Sequence, residues 1–191
     1  MMLPVKIPNL ILNKNPLHEI KDCYMRQCCP DDYTEISGIQ KTVVADLATK
    51  EHTQLFIPTE ENVIRDFLER DDVLFLCVET PDGICAYSYT FFSNDIEYNL
   101  CSYFDIRDVA TFDTVVVLPP FRGNKLHDQL LKVSIQEAKK RNSNIIASTV
   151  SPDNIHSVNN FIKNGFEILK ILNGGEGYEG YKRYIMYKKI I

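Results

Sequence analysis

The feature that most constrains this chain is the stretch Asp113–Arg141, DTVVVLPPFRGNKLHDQLLKVSIQEAKKR. Val115, Val116 and Val117 are β-branched, which favours a buried strand. Pro119 and Pro120 remove two backbone donors and end that strand. Gly123 frees the backbone where a helix should begin, and Asn124 is placed to cap it. Leu126, Leu130, Val133 and residues 135–138 then supply an apolar stripe of helical period. Lys139, Lys140 and Arg141 fall in the last turn, where cations suit the helix dipole.

A strand that feeds a glycine turn at a helix N-terminus presents backbone N–H groups with no intrahelical partner. Arg122 and Lys125 add positive charge there, so phosphate is a natural guest. The other reading of the same residues is an ordinary strand-to-helix connection with surface cations.

A second stretch bears on that choice. Ser151-Pro152-Asp153-Asn154 opens a helical pattern that closes on Asn164-Gly165-Phe166. Together with V-x-P-x-x-R-G at 117–123, it resembles the acyl-CoA-binding motifs of the GNAT superfamily of N-acetyltransferases. The first position of that family's Gln/Arg-x-x-Gly-x-Gly/Ala signature is Arg122, whereas Lys125 and His127 replace the small residues at the other two. Because backbone N–H groups do the binding, the loop can survive these changes.

The order of elements follows from periodicity. Residues 1–19 read as an irregular lead-in and 20–191 as one domain. Asp22–Gln27 is a short strand. Asp31–Lys50 is a helix with Tyr33, Ile36, Ile39, Val43, Val44 and Leu47 at helical spacing. A second helix follows Pro58, with Thr59 as its cap and Val63, Ile64, Phe67 and Leu68 inward. VLFLCVET and ICAYSYTFF form a hairpin around Pro81-Asp82-Gly83. Ile145–Val150 follows the central helix as a strand, parallel to the one before it. Asn154–Lys163 is a helix with Ile155, Val158 and Ile162 inward, and Phe166–Leu172 and Tyr181–Lys189 close the chain as a hairpin. The order β-α-α-β-β-β-α-β-α-β-β is the one the GNAT fold implies: an α/β fold with a mixed central sheet whose parallel strands splay apart.

Composition excludes several classes. A net charge of −5 argues against a general nucleic-acid binder, which needs a basic face. Cys23, Cys28, Cys29, Cys77, Cys85 and Cys101 contain no Cys-x-x-Cys pair and no histidine at zinc spacing, so neither a disulfide framework nor a metal is expected. Reduced thiols and the lack of a signal peptide or long apolar run predict a cytoplasmic protein with no membrane span. Gly175-Glu176-Gly177-Tyr178-Glu179-Gly180 matches G-x-G-x-x-G literally, but it sits between two strands and opens no helix. It reads as a hairpin loop, either presenting Glu176 and Glu179 to a cation or simply exposed.

The resemblance implies acetyl-CoA as acyl donor and direct transfer to a primary amine in a ternary complex. It assigns Arg122, Gly123, Asn124, Lys125, Leu126 and His127 to the pyrophosphate, and Val115, Val116 and Val117 to strand-like pairing with the pantetheine. The Val117 N–H would donate to the thioester carbonyl, Asn154 to the pantetheine amide, and Ser157 belongs to the same set. A plain helix cap is the other reading of Asn154. Asp113 is the candidate base, directly or through water, because strand alternation sets it on one side with Val115 and Val117; a structural role beside Arg107 is the alternative. Phe161 stands where many family members carry a tyrosine acid, so no general acid is assigned; Ser157, Tyr87, Tyr89 and Tyr178 are available hydroxyls. His127 and His156 read as solvated surface residues. A small-molecule or peptide amine is the expected acceptor, and the family often forms homodimers. The rival reading is a non-catalytic acyl-CoA-binding or sensing module.

Overall fold

The computed structural model describes residues 2–92, 100, 103–105, 108–173 and 180–190. It is a mixed α/β fold with a large mixed sheet that contains one parallel pair. Three two-residue strands come first: β1 (Val5–Lys6), β2 (Leu10–Ile11) and β3 (Glu19–Ile20). Then follow β4 (Tyr24–Gln27), α1 (Tyr33–Ala48), α2 (Glu61–Glu69), β5 (Val73–Thr80), β6 (Gly83–Phe91) and β7 (Val109–Val117). The remainder is α3 (Leu126–Lys140), β8 (Ile145–Val150), α4 (Ile155–Lys163), β9 (Glu167–Asn173) and β10 (Lys182–Lys189). The loop that contains Glu176, Tyr178 and Glu179 lies outside the described residues, as do Cys101 and Arg107.

By residue contacts the chain divides into two compact units, Met1–Tyr89 with Thr114–Leu130 and Thr90–Asp113 with Leu131–Ile191. The first unit carries the strand order β1-β4-β5-β6-β7. Val5 opposes Met25 and Arg26 opposes Cys77, both in antiparallel register. Helix α1 buries Ile36, Ile39 and Val43, the 3.6-period stripe expected of it. Beneath α2, Phe67 and Tyr89 pack at 5.2 Å and Phe75 and Tyr89 at 5.3 Å between ring centres. Thr59 does not cap α2: Glu60 is the N-cap and no side chain bonds there. The Thr59 hydroxyl instead meets that of Tyr89 at 2.7 Å, and its backbone N–H and C=O both pair with the Gln40 side chain.

The second unit carries β7-β8-β10-β9. Strands β7 and β8 are parallel over Val109↔Ile145, Ala110↔Ile146 and Thr111↔Ala147, and the ladder covers only these three pairs. Strand β10 pairs antiparallel with both β8 and β9, and a bulge interrupts the second ladder at Ile185/Met186. Leu100, Val109, Ile145, Ala147 and Ile185 form one buried cluster here.

Helix α4 turns a different face inward than its aliphatic pattern suggests. Ile155 is 63% exposed and Ile162 52%, while Phe161 is 2% exposed. Phe161 packs edge-on against Phe112 at 6.2 Å and Phe166 at 5.0 Å. The larger aromatic ring displaces the isoleucines from the core because it removes more apolar surface per residue. Gly165, at φ +81°, ends the helix: its N–H donates to the Ile162 carbonyl and that of Phe166 to the Phe161 carbonyl. This double closure fixes the Phe166 ring beside Phe161. Replacing Phe161 by Ala is expected to cost roughly 3–5 kcal/mol in urea unfolding, and Ile162→Ala under about 1 kcal/mol. Equal losses would show that α4 packs by its aliphatic face after all.

Candidate functional site

The first unit contains the loop between β7 and α3, and its geometry follows from the two prolines. Pro119–Phe121 forms a single 3₁₀ turn in which the Phe121 N–H donates to the Leu118 carbonyl and the Arg122 N–H to that of Pro119. Beyond that turn the chain passes through Gly123 at φ +95° and Lys125 at φ +59°, both in the left-handed region. The backbone N–H groups of Gly123, Asn124 and Lys125 donate to no other described residue. Three successive donors without a partner among the described residues, two of them on left-handed residues, are groups that an anion could engage. A lysine in that conformation costs about 1 kcal/mol or more relative to glycine, which accounts for the glycine the family signature places there.

Four of the loop side chains find specific positions. Arg122 pairs with Asp46 of α1, Nη1 to Oδ2 at 2.7 Å, and its Nε reaches the Val117 carbonyl at 3.4 Å. The Lys50 ammonium, and then the Arg122 guanidinium, hold the Asp46 carboxyl below the usual carboxylate range. Asn124 does not cap α3. Its Oδ1 accepts from the Ile11 N–H at 2.7 Å, while Nδ2 donates to the carbonyls of Ile11 at 2.9 Å and Phe121 at 2.8 Å. The residues pinned in this way, Ile11 and Asp46, carry no local sequence signal; they lie 113 and 76 positions away. Lys125 is exposed, and Leu126 is 2% exposed and belongs to the core. His127 is half-buried rather than solvated, with its Nε2 buried. Burial pushes its pKa down to about 4, against the opposing charge of Asp128. His156 is exposed.

On β7, Val109 to Phe112 and Val116 are buried, while Asp113, Thr114, Val115 and Val117 are half-buried, so burial follows position along the strand more than its alternation. In the second unit, Asn154 is the N-cap of α4 and its Oδ1 accepts from the Ser157 N–H at 3.1 Å. Phe161 is a core residue, as described above. Tyr87 and Tyr89 are buried in the first unit, where burial raises the Tyr87 hydroxyl pKa well above its ordinary value.

One group among the described residues brings metal-ligating atoms together: Cys28, Asp32 and Cys77, within 4.8 Å of one another. Asp32 already accepts from Arg26 at 2.7 and 2.9 Å and from the Cys29 N–H at 2.8 Å. Burial, then the neighbouring Cys77, raises the Cys28 thiol pKa well above its ordinary value. A cation placed there would displace a guanidinium from a half-buried ion pair and require two protonated thiols to ionise. No described helix is long and apolar enough to cross a membrane.

Comparisons with known proteins bear on the family and the fold. The family model described as the acetyltransferase (GNAT) family matches residues 42–166. No curated protein sequence matches. Among solved structures, the ribosomal-protein-S18-alanine N-acetyltransferase of Escherichia coli is 16% identical with a TM-score of 0.67, over 88% of this chain and 94% of that one. The structure of yncA from Salmonella typhimurium, a candidate acetyltransferase with its cofactor acetyl-CoA, is 16% identical with a TM-score of 0.69, over 88% and 94%. A GNAT-family acetyltransferase of Streptococcus pneumoniae is 18% identical with a TM-score of 0.68, over 89% and 100%. At these identities the likeness concerns the fold.

The buried imidazole gives a test of the loop's packing. Folded, His127 takes its proton near pH 4; unfolded, near 6.5. Between those values the unfolded chain binds more protons, so stability falls as pH drops through the window. The parent should lose up to ~3 kcal/mol more than His127→Gln between pH 7 and pH 4. Urea midpoints that fall equally in the two proteins would place His127 in solvent.

Proposed function

Since this chain belongs to the acetyltransferase (GNAT) family, with the family match spanning residues 42–166, we propose that it transfers an acetyl group from acetyl-CoA to a primary amine. The reaction would run by direct transfer within a ternary complex. The observation that carries this reading is the run of open donors at Gly123, Asn124 and Lys125 at the end of β7. An anion of pyrophosphate size needs several N–H groups, and the side chains of Asn124 and Arg122 are already taken up by Ile11, Phe121 and Asp46. Lys125 and His127 in the signature are compatible with this reading, since Lys125 is exposed and His127 half-buried, and the loop would seat the phosphate portion of acetyl-CoA.

When bound, acetyl-CoA supplies an activated thioester carbonyl. The chain's own groups would do the rest. Val115 to Val117 would align the pantetheine along β7 by strand-like pairing, and the Val117 N–H would donate where negative charge develops. The Asn154 carbonyl oxygen is occupied by its cap bond, so its Nδ2 would be the group available to a pantetheine amide. Asp113, half-buried on the same strand, would take the proton of the acceptor ammonium, directly or through water, so that the neutral amine can attack. An alkylammonium has a pKa of about 10, so this step is required at neutral pH. With Phe161 in the core, water would protonate the departing thiolate, whose conjugate acid has a pKa near 8.5.

The acceptor is a primary amine on a small molecule, a peptide or a protein. The E. coli relative's name specifies a ribosomal-protein alanine, which makes a protein N-terminus one acceptor to include in a screen. We further propose a cytoplasmic location and expect no resident metal.

Two experiments test the reading. Acetyl-CoA should bind the parent with micromolar affinity in calorimetry, and Arg122→Ala with Gly123→Pro should abolish binding, because proline cannot adopt φ +95°. A parent that fails to bind would end the acetyl-CoA reading. Against an amine panel, Asp113→Asn should lower kcat at least ~100-fold and leave acetyl-CoA affinity within about threefold. Full turnover in that variant would remove Asp113 from the mechanism.

A further inference from the structure

The cation that the signature supplies to the loop is not its freest charge. Arg122 is paired with Asp46, and Asp46 also holds Lys50. Lys125 extends outward. A third cation arrives from a part of the chain that the family match, beginning at residue 42, does not cover.

Residues Leu10–Lys14 run against the loop as a strap. Ile11 is held at both its N–H and its carbonyl by the Asn124 side chain, a pair of bonds at 2.7 and 2.9 Å. The strap then turns sharply: Asn13 has φ +52° and Lys14 φ +58°. The turn is closed by the Asn15 N–H on the Leu12 carbonyl at 3.0 Å and the Leu12 N–H on the His18 carbonyl at 2.9 Å. Two consecutive non-glycine residues in the left-handed region carry a conformational cost. That cost is offset by the closure bonds and by the Asn124 clamp.

The turn delivers the stem of Lys14 onto Gly123. A Cβ on Gly123 would meet Lys14 Cε at 3.4 Å, Cγ at 3.6 Å and Cδ at 4.0 Å. Nζ is one bond beyond Cε and so lies within about 5 Å of that point, given a C–N bond of ~1.5 Å. Lys14 forms no ion pair with any described residue. An unpaired ammonium thus hangs over the face of the residue whose N–H begins the run of open donors.

We infer that Lys14 is a phosphate-binding residue of the acyl-donor site, brought to the Gly123 turn by the Asn124-clamped strap. This inference rests on the acetyl-CoA reading above and deepens it: the strap makes the site select donors that carry phosphate, rather than pantetheine alone. A flexible lysine suits the task because it can follow a phosphate oxygen as a point charge. The clamp restricts where its stem begins, so less freedom is lost on binding.

The test compares the parent, Lys14→Met and Lys14→Arg for calorimetric binding of CoA and of pantetheine at low and high salt. Methionine keeps the stem's packing on Gly123 and removes only the charge, and all three proteins should melt within a few degrees of one another. Lys14→Met should weaken CoA binding about tenfold while Lys14→Arg stays within about threefold. Pantetheine binding should be unchanged, and the CoA difference should shrink at high salt. CoA binding by Lys14→Met equal to the parent's would overturn the inference alone and leave the acetyl-CoA reading standing. Tighter binding would also overturn it, by showing that the ammonium covers the loop. A matching loss for pantetheine would overturn it as well, since the effect would then not concern phosphate. If the parent binds no CoA, the acetyl-CoA reading fails and this one falls with it.

Discussion

Backbone donors have to go somewhere, and in this protein three of them are left pointing into one turn. The N–H groups of Gly123, Asn124 and Lys125 follow two prolines and precede a helix, so neither strand nor helix can engage them. Neighbouring groups are arranged so that they do not collapse into that space. Asn124, the side chain best suited to cap the helix, is drawn instead to Ile11, and Arg122 is drawn to Asp46. The ion pair itself adds little stability, because both partners are partly exposed. Its effect is positional: it fixes the guanidinium at the edge of the turn. The proposed anion site would stay open because the local polar side chains are taken up by other partners.

The elements of the fold were legible wherever a period or a turn residue set them. Three valines before two prolines gave the end of β7, and the α1 stripe gave Ile36, Ile39 and Val43 as core. Gly165 gave the end of α4, because few other residues sit at φ +81°. What could not be read was the choice among partners. Asn124 and Thr59 both have the chemistry of helix caps, and both bond elsewhere, to residues 113 and 30 positions distant. Capping propensity is worth about 1 kcal/mol, so a pair of tertiary hydrogen bonds outweighs it. The same holds for α4, where two isoleucines at helical spacing were outcompeted by one phenylalanine. The strap gave one hint: Asn13-Lys14-Asn15 is a sequence that tolerates left-handed turns, but nothing in it names Gly123 as the neighbour.

Phe161 shows how packing and chemistry compete for a position. Many relatives of this family are expected to carry a tyrosine acid there, and here the ring lies 2% exposed between Phe112 and Phe166. A hydroxyl on that ring would need a hydrogen-bond partner among aromatic edges, and an unmet one costs ~1–3 kcal/mol. Phenylalanine avoids that cost and keeps both edge-to-face contacts. The helix end reinforces the choice, since the bonds that close α4 at Gly165 also hold Phe166 against Phe161. The position therefore serves the core of its unit, and any proton delivered during the proposed reaction has to come from a group with access to water. In the proposed reaction such a site would lean less on an acid than on the alignment of its donor, the task proposed here for β7, the open turn and the strap.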